Sequence, residues 1–570
     1  MAKPGRPPLT EAIPAYLKPY IADQDASLYT PIDHASWRFI MKISKAFFAR
    51  HAHQKYLDGL KETGITTDRI PLIEEMDQHL RKFNWRAVAV SGFIPPAVFM
   101  EFLSLGILPI ACDMRQLEHL AYTPAPDIVH EAAGHAPIIA DPEYADYLRH
   151  YGEISQKAIF STQDQAVYEA VRNLSEVKED PHASPQTIQA AQKRLDEAAT
   201  AVDHVSEATM LARMSWWTIE YGLVGDASDP KIYGAGLLSS VGESYHCLNP
   251  DVPKIPFSLD CIHMSYDITR PQPQLYLAPD FQSLTRILKE LGETMAHKKG
   301  GKDGLFKAMK AATVTTAVLD SGLQISGRLA NVILGPKGEP CYLQYAGPTQ
   351  LAYQNHELAG QGADYHREGF GSPVGLTQKD LDSLKRIESG TKAKITFESG
   401  VNVEGTLKSR TEKNGHALLF SFEECKITHS EKVLFQPEWG TYDMACGGKV
   451  VSVHNGAADA PRYLEVTGGY KQLPRRQKTN LTNENRELND LYAITRKARE
   501  SGNASGLDEV HELLEKKYPN DWLLRYELLE LIKIRGLKAP WEKQVRKRLL
   551  EISTASKEKA EMIQRGLELL

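Results

Sequence analysis

Two histidines and a glutamate are the side chains of this sequence best suited to hold a catalytic metal. His130 and His135 lie five residues apart, and Glu220 follows the pair Trp216-Trp217. Two neutral imidazoles and one carboxylate can occupy one face of an octahedron and leave positions open for water, oxygen or substrate, as in non-haem Fe(II) oxygenases. These residue types therefore predict an enzyme. A zinc-dependent hydrolase, which could use the same three ligands, is the alternative.

The spacing of the two histidines also makes a structural prediction. Zinc peptidases place their histidines at i and i+4, one above the other on a helix, whereas His130 and His135 are at i and i+5. On an ideal helix of 3.6 residues per turn these positions are about 140° apart. The two rings can converge only if the helix is distorted, and Gly134 is a position where a distortion is tolerated.

Further motifs occur in a fixed order around these residues. The segments 122–131 and 233–240, followed by Glu243 and Cys247, resemble those of the tetrahydrobiopterin-dependent aromatic amino acid hydroxylases. The resemblance runs from about Tyr29 to about Gly292, which is roughly half of the chain. It implies a mostly α catalytic domain of that family's type.

The resemblance also implies a reaction. The expected reaction converts L-phenylalanine, a tetrahydropterin and O₂ into L-tyrosine and a 4a-hydroxytetrahydropterin at a non-haem Fe(II) centre. Hydroxylation of tryptophan is the alternative within the family. The metal ligands implied by the family motif are His130, His135 and Glu220.

Tetrahydrobiopterin, or a related reduced pterin, is the second cofactor implied. Phe99 falls at the family's stacking position, and Glu131 corresponds to a glutamate near the pterin and is a catalytic candidate. A carboxylate that only caps a helix is the alternative role for Glu131. This chain has Ser215 where the family often carries a tyrosine five residues before the glutamate ligand. The backbone contacts expected for the pterin are at Gly92, Phe93 and Ile94.

An amino-acid substrate carries a carboxylate, which a planar guanidinium can hold in a bidentate pair. Arg115 occupies the position of the family's carboxylate-binding arginine. Ile268 lies where tyrosine-oxidising relatives have an acidic residue, and an apolar wall favours an unsubstituted ring because a buried unpaired hydroxyl costs about 1–3 kcal/mol. Trp216 favours phenylalanine over tryptophan, since tryptophan-oxidising relatives tend to have a smaller aromatic residue there. Tyr266 is expected to supply an active-site hydroxyl or to serve in packing. The other substrate-binding candidates are Thr123, Pro126, Asp127 and Ser239.

Composition limits the classes of ligand and compartment. A formal net charge of −6 over 570 residues gives no general attraction to nucleic acid or to anionic membranes. The six cysteines are far apart and form no C-x-x-C pair, so they indicate reduced thiols rather than a zinc knuckle or a disulfide framework. No apolar run is long enough for a membrane span. We therefore expect a cytoplasmic protein whose ligands are small molecules.

The length and the changes of pattern predict a multidomain protein. Residues 1–28 are expected to form an N-terminal extension and 29–320 the catalytic domain, in which 158–211 contains an inserted helical hairpin. Short alternating runs predict a small β-rich module at 321–470. After a linker at 471–480, helical periodicity returns and predicts a helical module at 481–570.

The C-terminal half carries no recognised catalytic motif. A chain ending near Asp320 is therefore expected to fold and act by itself, with the C-terminal modules available for homo-oligomer contacts. The alternative is an inactive scaffold that acts through those modules. The hairpin within 158–211 is interpreted as a solvated surface insertion, with a lid or a subunit contact as its functional alternative.

Overall fold

The computed structural model describes residues 13–121, 125–180, 183–268, 270–378, 388–468, 483–554 and 557–570. Its first long helix, α1 (Pro31–His51), starts at a strong capping sequence. The hydroxyl of Thr30 accepts a hydrogen bond from the N–H of Asp33, the Asp33 carboxylate accepts one from the N–H of Thr30, and Pro31 takes the first helical position. Within the described ranges, no helix is both long and apolar enough to cross a membrane.

The N-terminal half consists mainly of helices with two small sheets between them. After α1 its helices are α2 (Tyr56–Glu62), α3 (Ile73–Leu80), α4 (Pro96–Ser104), α5 (Pro142–Ser155), α6 (Thr162–Glu179), α7 (Pro185–Thr200), α8 (Glu207–Ser215), α9 (Ala235–Ser239), α10 (Val241–His246), α11 (Phe281–Glu293), α12 (Ala296–Lys299) and α13 (Gly301–Ala311). Its strands are β1 (Arg86–Val90), β2 (Ile107–Ala111), β3 (Leu223–Val224), β4 (Lys231–Ile232), β5 (Lys254–Pro256) and β6 (Leu275–Ala278).

The two small sheets hold the loops that reach the site. Strands β1 and β2 pair in parallel, and β4, β3, β6 and β5 form a four-stranded sheet in that order. The N-terminal extension also joins this half, because Leu17 and Tyr20 are buried in one cluster with Val88 and Phe102. The expectation of a mostly α domain therefore describes its helices but not the sheets between them.

The expected insertion is a helical hairpin. Helices α6 and α7 pack on each other along their length, and each starts with a serine cap: Ser161 accepts from the N–H of Asp164, and Ser184 accepts from the N–H of Thr187. A carboxylate of Asp164 also accepts a hydrogen bond from the Thr209 hydroxyl at 2.7 Å, which fastens the hairpin to α8. The hairpin is thus held to the body of the domain.

The β-rich region comprises two antiparallel sheets. Its strands are β7 (Val314–Leu319), β8 (Leu323–Leu334), β9 (Pro340–Tyr353), β10 (His356–Glu357), β11 (Gly369–Pro373), β12 (Lys392–Thr396), β13 (Val401–Lys413), β14 (His416–His429), β15 (Lys432–Phe435), β16 (Tyr442–Ala445) and β17 (Val450–Asn455). One sheet has the order β10-β9-β8-β7-β17 with β11 beside β9; the other has the order β12-β13-β14-β15 with β16 beside β14.

A tight turn and the expected domain boundary can both be located in this region. The turn between β13 and β14 has positive φ at both Asn414 (51°) and Gly415 (79°), which is the conformation of a two-residue Asn-Gly hairpin. The boundary expected at residue 320, however, falls between β7 and β8, which pair with each other. Strand β7 begins at Val314, before the turn at Ser321. The sheet therefore starts earlier than the boundary expected from the sequence.

The C-terminal region is helical, as predicted. Its helices are α14 (Ala460–Thr467), α15 (Asn483–Ser501), α16 (Leu507–Lys517), α17 (Leu523–Arg535), α18 (Glu542–Ser553) and α19 (Lys557–Glu568). The expected linker at 471–480 lies outside the described residues.

These helices do not form a separate core, contrary to the expectation of an independent module. The buried Phe39 of α1 meets Trp522 and Tyr526 edge to face, with ring centroids 4.8 and 4.9 Å apart. Residues of α15, α17 and α19 belong to the same buried cluster as α1 and the segment 128–139. The first and last parts of the chain therefore share one hydrophobic core.

Candidate active site

A widened helical turn brings the two histidines together. Residues Val129–His135 form a π-helix, in which each turn contains more residues than an α-helical turn, so that i and i+5 lie almost above one another. His130 Nε2 and His135 Nε2 are 3.2 Å apart. The distortion expected from the i, i+5 spacing is therefore present as a π-turn.

Gly134 contributes to this turn through close packing. A Cβ atom at Gly134 would lie 2.7 Å from the carbonyl oxygen of Ala235, a distance that no side chain can accept. The glycine thus lets α9 approach the π-turn, and α9 carries Ser239 to the site. The conformational freedom assigned to Gly134 from the sequence is not used, because its φ is not positive.

A second π-turn, Trp216–Glu220, carries the glutamate. Its first residue, Trp216, stacks on Tyr266 with ring centroids 4.3 Å apart and planes 9° apart. The indole N–H of Trp216 donates to Gln272 Oε1 at 3.0 Å. The two histidines and the glutamate are therefore all carried by π-turns, which are frequent at functional sites. Trp216 is fixed by a ring stack and a hydrogen bond.

The three candidate ligand side chains, His130, His135 and Glu220, lie close together and are called the donor triangle. Each oxygen of Glu220 is close to one histidine: Oε2 lies 3.3 Å from His130 Nε2, and Oε1 lies 3.3 Å from His135 Nε2. The two histidine Nε2 atoms are 3.2 Å apart. Ligands about 2.1 Å from an ion on one octahedral face are about 3 Å apart. The donor set therefore fits a single divalent transition metal bound to one face.

The tautomer of His130 also suits a ligand. The Ser239 hydroxyl donates to the Ala235 carbonyl at 2.8 Å, so its oxygen accepts from His130 Nδ1–H at 2.9 Å. A neutral ring that donates through Nδ1 has its lone pair on Nε2. Ser239 thus orients the His130 ring with Nε2 towards Glu220 and His135.

The two carboxylates near the histidines have opposite electrostatic environments. Burial acts to raise the pKa of Glu220, but the positive charge of the adjoining His135 and His130 rings in their protonated forms holds its pKa well below the usual range, so Glu220 is an anion beside a positive charge. Burial raises the pKa of Glu131 to about 8. Glu131 Oε2 lies 3.9 Å from His135 Nε2 and has no hydrogen-bond partner in the described ranges. Glu220 is therefore suited to bind a cation, and Glu131 to hydrogen-bond a ligand.

Arg115 is held by a buried acidic partner. Its Nε and Nη2 donate to the two carboxylate oxygens of Asp127 at 2.7 and 2.8 Å, and its Nη1 donates to the Ser239 carbonyl at 3.0 Å. Three of the five guanidinium N–H groups are thus taken, and two remain for a substrate carboxylate. Asp127 also accepts from the N–H of His130 at 2.9 Å. It positions Arg115 and the π-turn instead of facing the cavity.

These groups meet at a cavity of about 580 Å³. Its walls include Phe99 and the loop before α4, in which Gly92 adopts φ +61° and its N–H donates to Asp113 at 3.1 Å. The predicted residues that line the cavity are Gly92, Phe93, Ile94, Phe99, Arg115, Pro126, His130, Glu131, Trp216, Glu220, Ser239, Tyr266 and Ile268. Ser215 lines it as well.

Four predicted site residues differ from the others in position or in role. Asp127 and His135 lie behind the cavity wall, although both contact residues that line it. Thr123 lies outside the described residues. Burial raises the pKa of Tyr266 to about 12, so its phenol stays protonated, and its ring serves in packing through the stack on Trp216.

The sequence interpretation missed one wall of the cavity. Five residues of the inserted helix α6 line it: Tyr168, Val171, Leu174, Ser175 and Lys178. Their spacing is that of one helical face. This periodicity was available in the sequence, but no feature of the sequence indicated what the face would meet.

The chain was compared with known proteins. A sequence model of the biopterin-dependent aromatic amino acid hydroxylases matches residues 23–168 and 191–328. The phenylalanine-4-hydroxylase of Ralstonia nicotianae is 28% identical over 286 residues, which are 48% of this chain and 77% of that protein. The phenylalanine-4-hydroxylase of Chromobacterium violaceum is 29% identical over 275 residues, or 46% of this chain and 78% of that protein.

Among solved structures, one of Chromobacterium violaceum phenylalanine hydroxylase has iron(III) and 7,8-dihydrobiopterin bound. The match covers 50% of this chain and 91% of the Chromobacterium violaceum chain, with 25% identity and a TM-score of 0.38. The family match spans both π-turns, Arg115 and the loop before α4. Through residues 23–328 this chain belongs to the biopterin-dependent aromatic amino acid hydroxylases.

Proposed function

We propose that this protein is a phenylalanine 4-monooxygenase that binds Fe(II) at His130, His135 and Glu220. The observation that carries the proposal is the donor triangle, in which each Glu220 oxygen lies 3.3 Å from one histidine Nε2 and the two Nε2 atoms are 3.2 Å apart, beside the held guanidinium of Arg115. The relatives named phenylalanine-4-hydroxylase support phenylalanine as the substrate. Iron and a reduced pterin, when bound, supply the redox chemistry that O₂ requires.

The protein's own part in this reaction is mainly positioning. The two unused N–H groups of Arg115 bind the substrate carboxylate, and Asp127 keeps the guanidinium in the orientation that presents them. Trp216 and Ile268 form the apolar wall for the phenyl ring. Because Trp216 is fixed by Tyr266 and Gln272, the ring cannot drift away from the ligand set.

The residues that would hold the pterin are in the loop before α4 and at the start of that helix. Phe99 offers a ring face for stacking, and Gly92, Phe93 and Ile94 offer backbone groups. Glu131, whose pKa burial raises to about 8, is mostly protonated at neutral pH, so its carboxyl group can donate a hydrogen bond to the polar edge of the pterin or accept one from it. Its unpartnered Oε2 supports this role.

The test is a substrate comparison with purified protein, Fe(II), tetrahydrobiopterin and O₂. We expect tyrosine to form in step with pterin oxidation, with a higher kcat/KM for phenylalanine than for tryptophan or tyrosine. An apolar wall discriminates by about 1–3 kcal/mol, so slow oxidation of tryptophan is compatible with the proposal. A preference for tryptophan would make the protein a tryptophan hydroxylase, and metal-dependent hydrolysis without pterin use would make it a zinc hydrolase.

The variant Trp216→Phe tests whether Trp216 sets the preference for phenylalanine over tryptophan. We expect it to lower the ratio of kcat/KM for phenylalanine over tryptophan by roughly tenfold, because a smaller ring leaves room for an indole. Trp439→Phe changes an exposed tryptophan in the β-rich region and serves as the control that should leave this ratio unchanged.

A further inference from the structure

The inserted hairpin adds a wall to the active-site cavity that the family's sequence model does not include. The family's sequence model leaves residues 169–190 unmatched. Four of the five α6 residues that line the cavity fall in that interval: Val171, Leu174, Ser175 and Lys178. Tyr168, one turn earlier, completes the face. The hairpin is therefore a part of the ligand-binding cavity and not a solvated appendage.

The hairpin lies on the side of the cavity where the pterin is proposed to bind. Phe160 and Gln165, at the start of α6, share a second crevice with Pro95 and Ala97, which begin the helix that carries Phe99. Through Asp164 and Thr209 the same end of α6 is fastened to α8, which leads to Ser215. Helix α6 thus spans the gap between the pterin loop and Ser215.

The α6 face offers hydrogen-bond donors to a ligand. The hydroxyl of Tyr168 is buried and has no partner among the residues described. Burial raises the pKa of Tyr168 to about 12, so the phenol keeps its proton and can donate. Ser175 is buried, and Lys178 is half-buried and forms no ion pair with any described residue. Val171 and Leu174 between them are apolar, so these three donors are the polar part of the wall.

We propose that Tyr168, Ser175 and Lys178 form a subsite for the side chain of the bound pterin and recognise oxygen acceptors on that side chain. The inference rests on the proposed pterin site at Phe99. A buried donor left without an acceptor loses its hydrogen bond to water, so a pterin whose side chain carries hydroxyl or anionic oxygens is favoured over one with a bare alkyl substituent.

The experiment combines a change in the ligand with a change in the protein. Calorimetry with the full-length, Fe(II)-loaded protein under argon gives the Kd of 7,8-dihydrobiopterin, which has a dihydroxypropyl side chain, and of 6-methyl-7,8-dihydropterin, which lacks it. We expect wild type to bind the first about tenfold more tightly. Tyr168→Phe and Lys178→Met should each lower this ratio to threefold or less, mainly by weakening the binding of 7,8-dihydrobiopterin.

Glu169→Gln is the control, because Glu169 is exposed and next to Tyr168 on the same helix. It should keep the wild-type ratio. Ratios in Tyr168→Phe and Lys178→Met equal to wild type would overturn the subsite. If wild type binds neither pterin, the proposed function fails first, and the two failures are thereby distinguished. Replacing a phenol by a phenyl ring and an ammonium stem by a thioether keeps the packing, and the thermal unfolding midpoint of each variant verifies this.

Discussion

Arg38 and Glu527 form a buried, bidentate ion pair although they are 489 positions apart in the sequence. The guanidinium Nη2 and Nε donate to the two oxygens of Glu527 at 2.6 and 3.2 Å, and the two side chains are only 3% and 1% exposed. Arg499 also contacts Glu527 at 3.0 Å and Glu530 at 2.6 Å, and Lys42 pairs with Glu530. A charged cluster inside the shared core therefore joins the first long helix to the last helices.

Glu527→Ala should destabilise the protein by about 3–5 kcal/mol, because it leaves Arg38 buried without its partner. Urea unfolding followed by circular dichroism measures the change. Glu197→Ala is the control: its ion pair with Lys193 is exposed, and its loss should change stability by less than about 1 kcal/mol. Equal effects of the two substitutions would contradict the assignment of a joining role to the cluster.

A chain that ends at Asp320 is now expected to be unstable, which reverses the expectation of a self-contained catalytic half. The truncation would expose Phe39 and Arg38 on α1 and would cut the sheet between β7 and β8. We expect aggregation or loss of cooperative thermal unfolding by circular dichroism. A soluble, cooperatively unfolding fragment with hydroxylase activity within tenfold of the full chain would show that the shared core is dispensable.

His135→Ala should abolish metal binding, because it removes one corner of the donor triangle. Inductively coupled plasma mass spectrometry of protein reconstituted with Fe(II) should give less than about a tenth of the wild-type iron, and tyrosine formation should be lost with it. His356→Ala, an exposed histidine of the β-rich region, is the matched control. Full iron occupancy with unchanged activity in His135→Ala would refute the ligand assignment.

Arg115→Lys should raise the KM for phenylalanine by at least about tenfold, equivalent to about 1.4 kcal/mol in binding. A lysine has one point charge and cannot both pair with Asp127 and hold a carboxylate in a bidentate contact. Iron content should stay at the wild-type level, because Arg115 does not belong to the donor triangle. A normal KM with reduced iron would instead assign Arg115 to the support of the metal site.

Glu243→Gln should change how stability depends on pH. Burial raises the pKa of Glu243 to about 7, from an ordinary value of 4.5. The folded protein therefore binds this proton more tightly than the unfolded chain does, and the contribution of Glu243 to stability falls as pH rises from about 4.5 to about 7. Glutamine mimics the protonated form. The unfolding free energy of the variant relative to wild type should rise between pH 5 and pH 8; a constant difference would exclude this titration.

Much of the site could be predicted from the sequence because the information is local. The i, i+5 spacing of His130 and His135 required a distorted helix, and the structure has a π-turn there. Ile268 and Trp216, chosen from their match to the family motif, both line the cavity, and their role in substrate binding stays a prediction. The role of Asp127 was not predictable in this way, since a carboxylate next to a proposed substrate pocket can equally contact a ligand or hold an arginine. Only the position of Arg115 decides between them.

The sequence by itself determined the candidate ligand set, the helical and alternating segments and the presence of an insertion, because residue types, periodicity and capping act over a few neighbouring positions. Which surfaces meet was decided by the tertiary structure. The face of α6 is equally amphipathic whether it covers solvent, a subunit or the catalytic cavity. From the sequence alone, Arg38 and Glu527 would be taken for ordinary charged surface residues. Folding buries both side chains. Burial and pairing over hundreds of residues depend on how complete helices pack, and no local pattern records that packing.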